Sequence, residues 1–190
     1  MKFFSRKPQD GTFDVTLEDQ LAEQQVAPGT QLHYDSRLIQ RLRDHAIALQ
    51  DLLARSGSAA RASKFDEAGN CLRRFRLTFN EHLLDKNLRL YTYLGCCLKS
   101  DPEQRELMRE MRREAADVSR QTTHFLTRYS ELGIHEENGT ALVEELQRIA
   151  DMLRQCFERE DRSLYAMYQP PQRYQVAPAR TSPRPQACCA

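Results

Sequence analysis

Residues 71–98 read CLRRFRLTFNEHLLDKNLRLYTYLGCCL, with apolar side chains recurring every three or four positions. This spacing predicts one long amphipathic helix. Its apolar stripe is formed by Leu72, Phe75, Phe79, Leu83 and Leu90. His82 and Lys86 fall on the same stripe, although burying an unpaired polar group costs on the order of 2–7 kcal/mol. The sequence therefore predicts a helical core with polar groups at its centre, which need partners there.

The same periodicity predicts three further helices. We expect the four helices to span residues 36–55, 64–99, about 101–132 and about 138–169, with a loop at 56–63. Asp101 is a suitable cap and Pro102 a suitable first residue for the third helix, and Gly133 is a natural stop. Four helices joined by short loops predict an all-α fold, an up-down-up-down four-helix bundle.

Two extensions flank the predicted bundle of residues 36–169. Residues 1–35 are polar, show no sustained period and are expected to be mostly irregular. Residues 170–190 contain five prolines and three arginines, a composition typical of a disordered tail. The adjacent Cys188 and Cys189 make this tail a candidate for docking or thiol chemistry, or it is an ordinary solvated tail.

Composition excludes several classes of protein. The 190 residues suit one domain, and a net charge of +1 gives no reason to expect nucleic-acid or anionic-membrane binding. We find no apolar run long enough to span a membrane and no export signal, so we expect a cytoplasmic protein with reduced thiols. The six cysteines show no CxxC spacing. No nucleophile–base pair is apparent, so we do not expect an enzyme.

Six polar residues are expected to point toward the bundle interior when side chains are placed about 100° apart around each helix. They are His45, His82, Lys86, Glu114, Cys156 and Glu160. His82 and Lys86 are four residues apart and so share one helix face, as do Cys156 and Glu160. Bundle proteins build metal sites from side chains that project from facing helices in this way.

Three segments resemble bacterial hemerythrin-like domains of the HHE type. They are GTQLHYD at 29–35 with the following Leu42-Arg43-Asp44-His45, HLLDKNLRLY at 82–91, and REDRSLY at 159–165. The resemblance covers about residues 29–168 and implies a hemerythrin-like bundle with a carboxylate-bridged di-iron site for oxygen binding or sensing. It departs from the family at two ligand positions: Lys86 replaces a glutamate and Cys156 replaces a histidine. A cation at a bridging position opposes the charge of a metal.

Three interpretations of the polar residues remain open. In the first, the core is metal-free and the Lys86 ammonium pairs with Glu160 and Glu114, beside His45 and His82. In the second, His45, His82, Glu114 and Glu160 hold iron or another metal in a mono- or dinuclear site, with Cys156 as an extra ligand. In the third, the histidines are ordinary core residues and Lys86 extends its stem to solvent.

The functional prediction follows from these alternatives. We expect a small regulatory or sensing protein with a degenerate di-iron site, in which Lys86 stands in for metal charge. The first alternative is an iron-binding oxygen or redox sensor. The second is a metal-free adaptor for a regulatory partner such as a sigma factor, since Glu160-Asp161 near the end of the last helix resembles bacterial anti-sigma bundles. The protein is expected to be a monomer or weak dimer.

Overall fold

The computed structural model describes residues 26–174, which form the all-α bundle that the sequence predicts. We number six α-helices along the chain, of which α1, α2, α4 and α5 are long. Their bounds are α1 Leu38–Arg61, α2 Phe65–Leu84, α3 Tyr91–Cys97, α4 Pro102–Leu132, α5 Glu136–Arg159 and α6 Tyr165–Met167. Among the described residues the only β-type pairing is an isolated bridge between Val26 and His33. None of the helices in this part of the chain is long and apolar enough to cross a membrane.

Two of the predicted helices contain a π-helical segment. The second predicted helix runs through α2, a π-helix at Asp85–Leu90, α3 and a 3-10 turn at Leu98–Ser100. The fourth runs through α5, a π-helix at Glu160–Leu164 and α6. Such segments are rare and occur often at functional sites. Periodicity alone predicted neither of them.

The loop predicted at 56–63 is wrong for most of its length, because α1 continues to Arg61. Ser56 is fully buried, and its hydroxyl donates to the carbonyl of Ala68 at 3.1 Å. Ala59 and Ala60 are strong helix formers and are also buried. Packing against α2 therefore extends the helix through a segment whose serines and glycine indicated a loop.

The apolar core consists of two separate clusters. The first contains Leu49 and Leu53 of α1, Phe75 and Phe79 of α2, and Leu153 of α5, among others. The second contains further residues of the same three helical paths, including Leu38, Leu42, Leu90 and Leu164. Along each path the polar residues of interest lie between the two clusters. We call His45, His82, Lys86, Cys156 and Glu160 the polar layer.

Residues 26–35 and 170–174 pack against the end of the bundle near the second cluster. Ala27 is fully buried, and the ring of Tyr34 stacks on that of Tyr168 at 5.0 Å between centroids. The Tyr168 hydroxyl accepts a hydrogen bond from the backbone N–H of Asp35 at 2.9 Å. The predicted disorder of residues 1–25 and 175–190, with Cys188 and Cys189, lies outside the described residues.

Both ends of α4 follow the sequence prediction. The Asp101 carboxylate accepts a hydrogen bond from the backbone N–H of Gln104 at 3.0 Å, with Pro102 in the first turn. Gly133 ends the helix with φ 71° and ψ 176°, a conformation that is almost restricted to glycine. The Asn138 side-chain amide then donates to the Gly133 carbonyl at 3.0 Å. This turn sets the direction in which α5 leaves α4.

Replacing Gly133 should test this turn. We expect Gly133→Ala to lower the free energy of unfolding by about 1–3 kcal/mol, because a side chain disfavours this backbone conformation. Urea-induced unfolding followed by circular dichroism measures the change. Gly95→Ala is the matched control, since Gly95 lies within α3 and a Cβ there meets no atom within 4 Å. The control should be neutral or stabilised by up to about 1 kcal/mol; equal losses in both variants would contradict the prediction.

Candidate functional site

The polar layer brings together five of the six polar residues that the sequence placed inward. His45 comes from α1, and its ring centroid lies 6.1 Å from that of His82 on α2. Lys86 lies on the first π-helical segment and Glu160 on the second. The Cys156 thiol, near the end of α5, contacts the Glu160 carboxylate, with 3.7 Å between Sγ and Oε1. Three helical paths therefore contribute to one polar site, in which His82, Lys86 and Glu160 are buried and His45 and Cys156 are partly buried.

The strongest contact in the layer is an ion pair between Lys86 and Glu160. The ammonium Nζ donates to the carboxylate Oε1 at 2.5 Å. Lys86 is 3% exposed and Glu160 is 1% exposed, so solvent screens neither charge. Removing one partner of such a pair costs about 3–5 kcal/mol, because the other charge is left uncompensated in the core. Lys86 therefore does not extend its stem to solvent.

The π-helical segments are also held from outside, by α1. Arg41 of α1 pairs with Asp85 at 3.4 Å, and Arg43 pairs with Asp161 at 2.7 Å. The Arg43–Asp161 pair is exposed, and exposed pairs contribute little stability, about 0–1 kcal/mol. The positions of both pairs nevertheless tie each segment to the same neighbouring helix. The two α1 pairs therefore add a contact to each segment, whereas the buried Lys86–Glu160 pair joins the two segments to each other.

Several buried polar atoms around the ion pair have no hydrogen-bond partner within the described part of the chain. They are His45 Nδ1, His82 Nδ1, His82 Nε2, Glu160 Oε2 and the Tyr91 hydroxyl. A neutral imidazole offers one donor and one acceptor, and a carboxylate oxygen accepts. A buried polar group left unpaired costs about 1–3 kcal/mol. These atoms mark where a small polar molecule would find hydrogen-bonding groups.

Glu114 does not join the polar layer, contrary to the expectation that it reaches the core. Its side chain is 46% exposed, and its carboxylate accepts a hydrogen bond from the Arg159 guanidinium at 2.6 Å. The residue lies at the edge of the apolar stripe of α4, where a modest rotation of the helix decides between core and surface. Arg159 on α5 favours the outward position. The core-facing residue of α4 at this level is Ala115.

The layer as arranged does not fit a metal ion. Within residues 26–174 no three His, Cys, Asp or Glu side chains approach closely enough to share one. Glu160 is the one carboxylate of the predicted ligand set that lies in the layer, and its Oε1 already contacts the Lys86 ammonium. A cation in this position opposes the charge of an incoming metal. The predicted ligands His45, His82 and Glu160 lie in the same layer but do not form a coordination shell.

Burial also controls the protonation of the side chains around the pair. It raises the pKa of the Cys156 thiol to about 12, and the neighbouring Glu160 carboxylate adds to the effect. The thiol therefore stays protonated at neutral pH, which disfavours both nucleophilic chemistry and metal ligation. Burial and Glu160 likewise raise the pKa of Tyr91 and of Tyr165 above the usual value.

Sequence reasoning missed one residue at the edge of the layer, Arg112 of α4. The Arg112 guanidinium lies 5.4 Å from the centre of the Tyr91 ring, in a cation–π contact. In the sequence, Arg112 is only an arginine beside the apolar stripe of α4. Its contact with a tyrosine of a facing helix can be recognised only when it is known how the helices pack.

Comparisons with family models, with curated proteins and with solved structures find no match for this chain. The resemblance to hemerythrin-like domains therefore remains a prediction from the quoted motifs, and the functional argument depends on the geometry of the polar layer.

The environment of His82 predicts a pH dependence of stability. Burial, and then the positive charge of Lys86 and the neighbouring His45, lower the pKa of His82 well below its usual 6.5. The folded protein keeps His82 neutral, whereas the unfolded chain binds a proton as the pH falls below about 6.5. Unfolding then takes up a proton, so stability is lost toward acid at up to about 1.4 kcal/mol per pH unit.

Urea unfolding between pH 5 and 7.5 tests this dependence. The free energy of unfolding of the wild type should fall below pH 6.5 more steeply than that of His82→Gln, which lacks the titrating ring. His124→Gln is the control, because His124 is exposed on α4 and should leave the pH dependence of the wild type unchanged. Parallel pH curves for the wild type and His82→Gln would show that His82 titrates normally.

Proposed function

We propose that this protein is a cytoplasmic regulatory or sensing protein with a hemerythrin-like, up-down-up-down bundle, in which an ion pair replaces the di-iron centre. The observation that carries the proposal is the 2.5 Å contact between the Lys86 ammonium and the Glu160 carboxylate. It lies at the level where His45, His82 and Cys156 converge. In the resembling family these positions hold metal ligands, so the Lys86 charge stands where metal charge would be needed.

The chemistry of the layer supports a role in binding rather than catalysis. The Cys156 thiol, with its pKa near 12, is a poor nucleophile. The two His82 nitrogens have no hydrogen-bond partner among the described residues, so no acid–base relay orients the ring. The proposal therefore assigns the polar layer a structural and ligand-responsive role, with Lys86 and Glu160 compensating each other.

Metal analysis tests the proposal directly. We expect protein expressed in iron-supplemented medium, and purified without chelator under anaerobic conditions, to contain well under one metal ion per chain by elemental mass spectrometry. It should also lack a ligand-to-metal absorption band. One or two iron ions per chain would contradict the proposal and favour an iron-binding oxygen or redox sensor.

Paired substitutions test whether Lys86 supplies the compensating charge. Lys86→Met should lower the free energy of unfolding by about 3–5 kcal/mol, because the Glu160 carboxylate remains buried without a cation. The double variant Lys86→Met/Glu160→Leu should recover most of this loss, since an apolar pair of similar volume is often tolerated in place of a buried ion pair. Urea unfolding at pH 7 measures both changes.

Lys64→Met is the matched control for these variants. Lys64 is an exposed lysine whose ammonium lies 3.9 Å from Glu67. Its replacement should change stability by less than about 0.5 kcal/mol. A Lys86→Met protein as stable as this control would show that Lys86 does not compensate Glu160, and the proposal would fail.

A further inference from the structure

A cavity of about 290 Å³ leads from the protein surface to Lys86 of the polar layer. It lies between the first π-helical segment and α3 on one side and α4 on the other. The polar residues that line it are Lys86, Asn87, Tyr91, Arg112, Ser119 and Arg120. Its volume lies near the lower end of the range for small-molecule sites, about 300–1,000 Å³.

Small residues on α4 create this space. At the level of the polar layer, α4 contributes the two alanines Ala115 and Ala116. The other three helical paths contribute the larger polar side chains of the layer at this level. These short side chains leave the wall opposite Lys86 open. Larger side chains at the same positions would fill the cavity. The opening is therefore a consequence of the α4 sequence at the level of the polar layer.

Cationic side chains line the cavity. Among the described residues these are Lys86, Arg112 and Arg120, and no carboxylate lines it. Glu160 already pairs with Lys86 and Asp117 with Arg120, whereas Glu114 pairs with Arg159 outside the cavity, so within residues 26–174 Arg112 is the lining cation without a counter-charge. Within the described residues Arg112 forms no ion pair, and its guanidinium lies over the Tyr91 ring instead. An arginine in this position retains its donors for a carboxylate or phosphate group.

Unused hydrogen-bond donors line the inner end. The Tyr91 hydroxyl has no partner in this part of the chain, although the residue is only 3% exposed. Lys86 carries three ammonium hydrogens, and one of them donates to Glu160. A buried phenol without an acceptor is costly, so an acceptor oxygen between Tyr91, Lys86 and Arg112 would be stabilised.

We propose that this cavity binds a small organic anion carrying a carboxylate or a phosphate group. The oxyanion lies between the Arg112 guanidinium and the inner donors of Lys86 and Tyr91, and the rest of the molecule packs against the short side chains of α4. This inference deepens the proposed function and rests on it, because it identifies the class of ligand to which the metal-free polar layer responds.

Ligand binding to the full chain tests the inference. The probes are inorganic phosphate, glycerol 3-phosphate and malate, with glycerol as the uncharged control, in 150 mM salt. We expect calorimetric binding of at least one anion and none of glycerol. At a ligand concentration about 100 times Kd the melting temperature should rise by roughly 5 °C or more. The phosphate and malate arms distinguish the two anion classes.

Three variants locate the site. Arg112→Gln should weaken binding about tenfold or more through the loss of a charged hydrogen-bond donor. Ala116→Leu should abolish binding by filling the cavity without removing any charge. Arg113→Gln is the matched control, because Arg113 is an exposed neighbour on α4 whose guanidinium pairs with Glu106 outside the cavity. Its affinity should equal that of the wild type.

Two results would overturn the inference: no binding of any of the three anions at 10 mM, or binding that Arg112→Gln and Ala116→Leu both leave unchanged. If the protein is metal-free and Lys86→Met destabilises it, either result contradicts only the proposed anion site, and the proposed function stands. A stoichiometric metal content would remove the proposed function itself, whatever the anions do.

Discussion

The ion pair between Lys86 and Glu160 constrains the rest of the bundle, because each charge is tolerated in the core only while the other stands against it. The pair requires two helical paths to meet at one level, and both paths adopt a π-helical segment there. It also divides the apolar core into two clusters. The histidines, the thiol and the cavity are all arranged around these two charges.

Helical periodicity was sufficient to predict the all-α bundle and both ends of α4, because the apolar stripes and the Asp101 and Gly133 signals act locally. It was insufficient for the π-helical segments. After Lys86 the buried residues include Leu90, Leu94 and Leu98, which are spaced four apart, and after Glu160 they include Leu164 and Tyr168, also four apart. Tyr91, Tyr93, Cys97, Tyr165 and Met167 are buried beside them. In a regular α-helix, residues four apart point in directions that differ by about 40° around the helix axis, so a long run of them would turn away from the core. A π-helical segment has more residues per turn and therefore offsets part of this rotation. The four-residue spacing was therefore visible in the sequence, but its connection with π-helical segments became clear only from the structure.

The residues of the candidate site could be predicted where the position on the helix face was enough to determine whether a side chain points inward. His45, His82, Lys86, Cys156 and Glu160 lie on the central line of an apolar stripe and point inward. Glu114 lies at the edge of its stripe, where Arg159 of the neighbouring helix determines its direction. The cavity depends on the separation of α4 from the first π-helical segment, so the position of Arg112 beside it could be inferred only from the tertiary packing.

The division of the core by the polar layer has a consequence for the alignment of the helices along their axes. Leucine faces tolerate sliding by one helical turn, because one apolar side chain replaces another. Such a slide would move Lys86 from Glu160 to a leucine or a thiol and leave two unlike charges unmatched in the interior. The layer therefore specifies one axial alignment of helices whose apolar patterns are otherwise similar. A single buried polar residue specifies the register of a coiled coil in the same way.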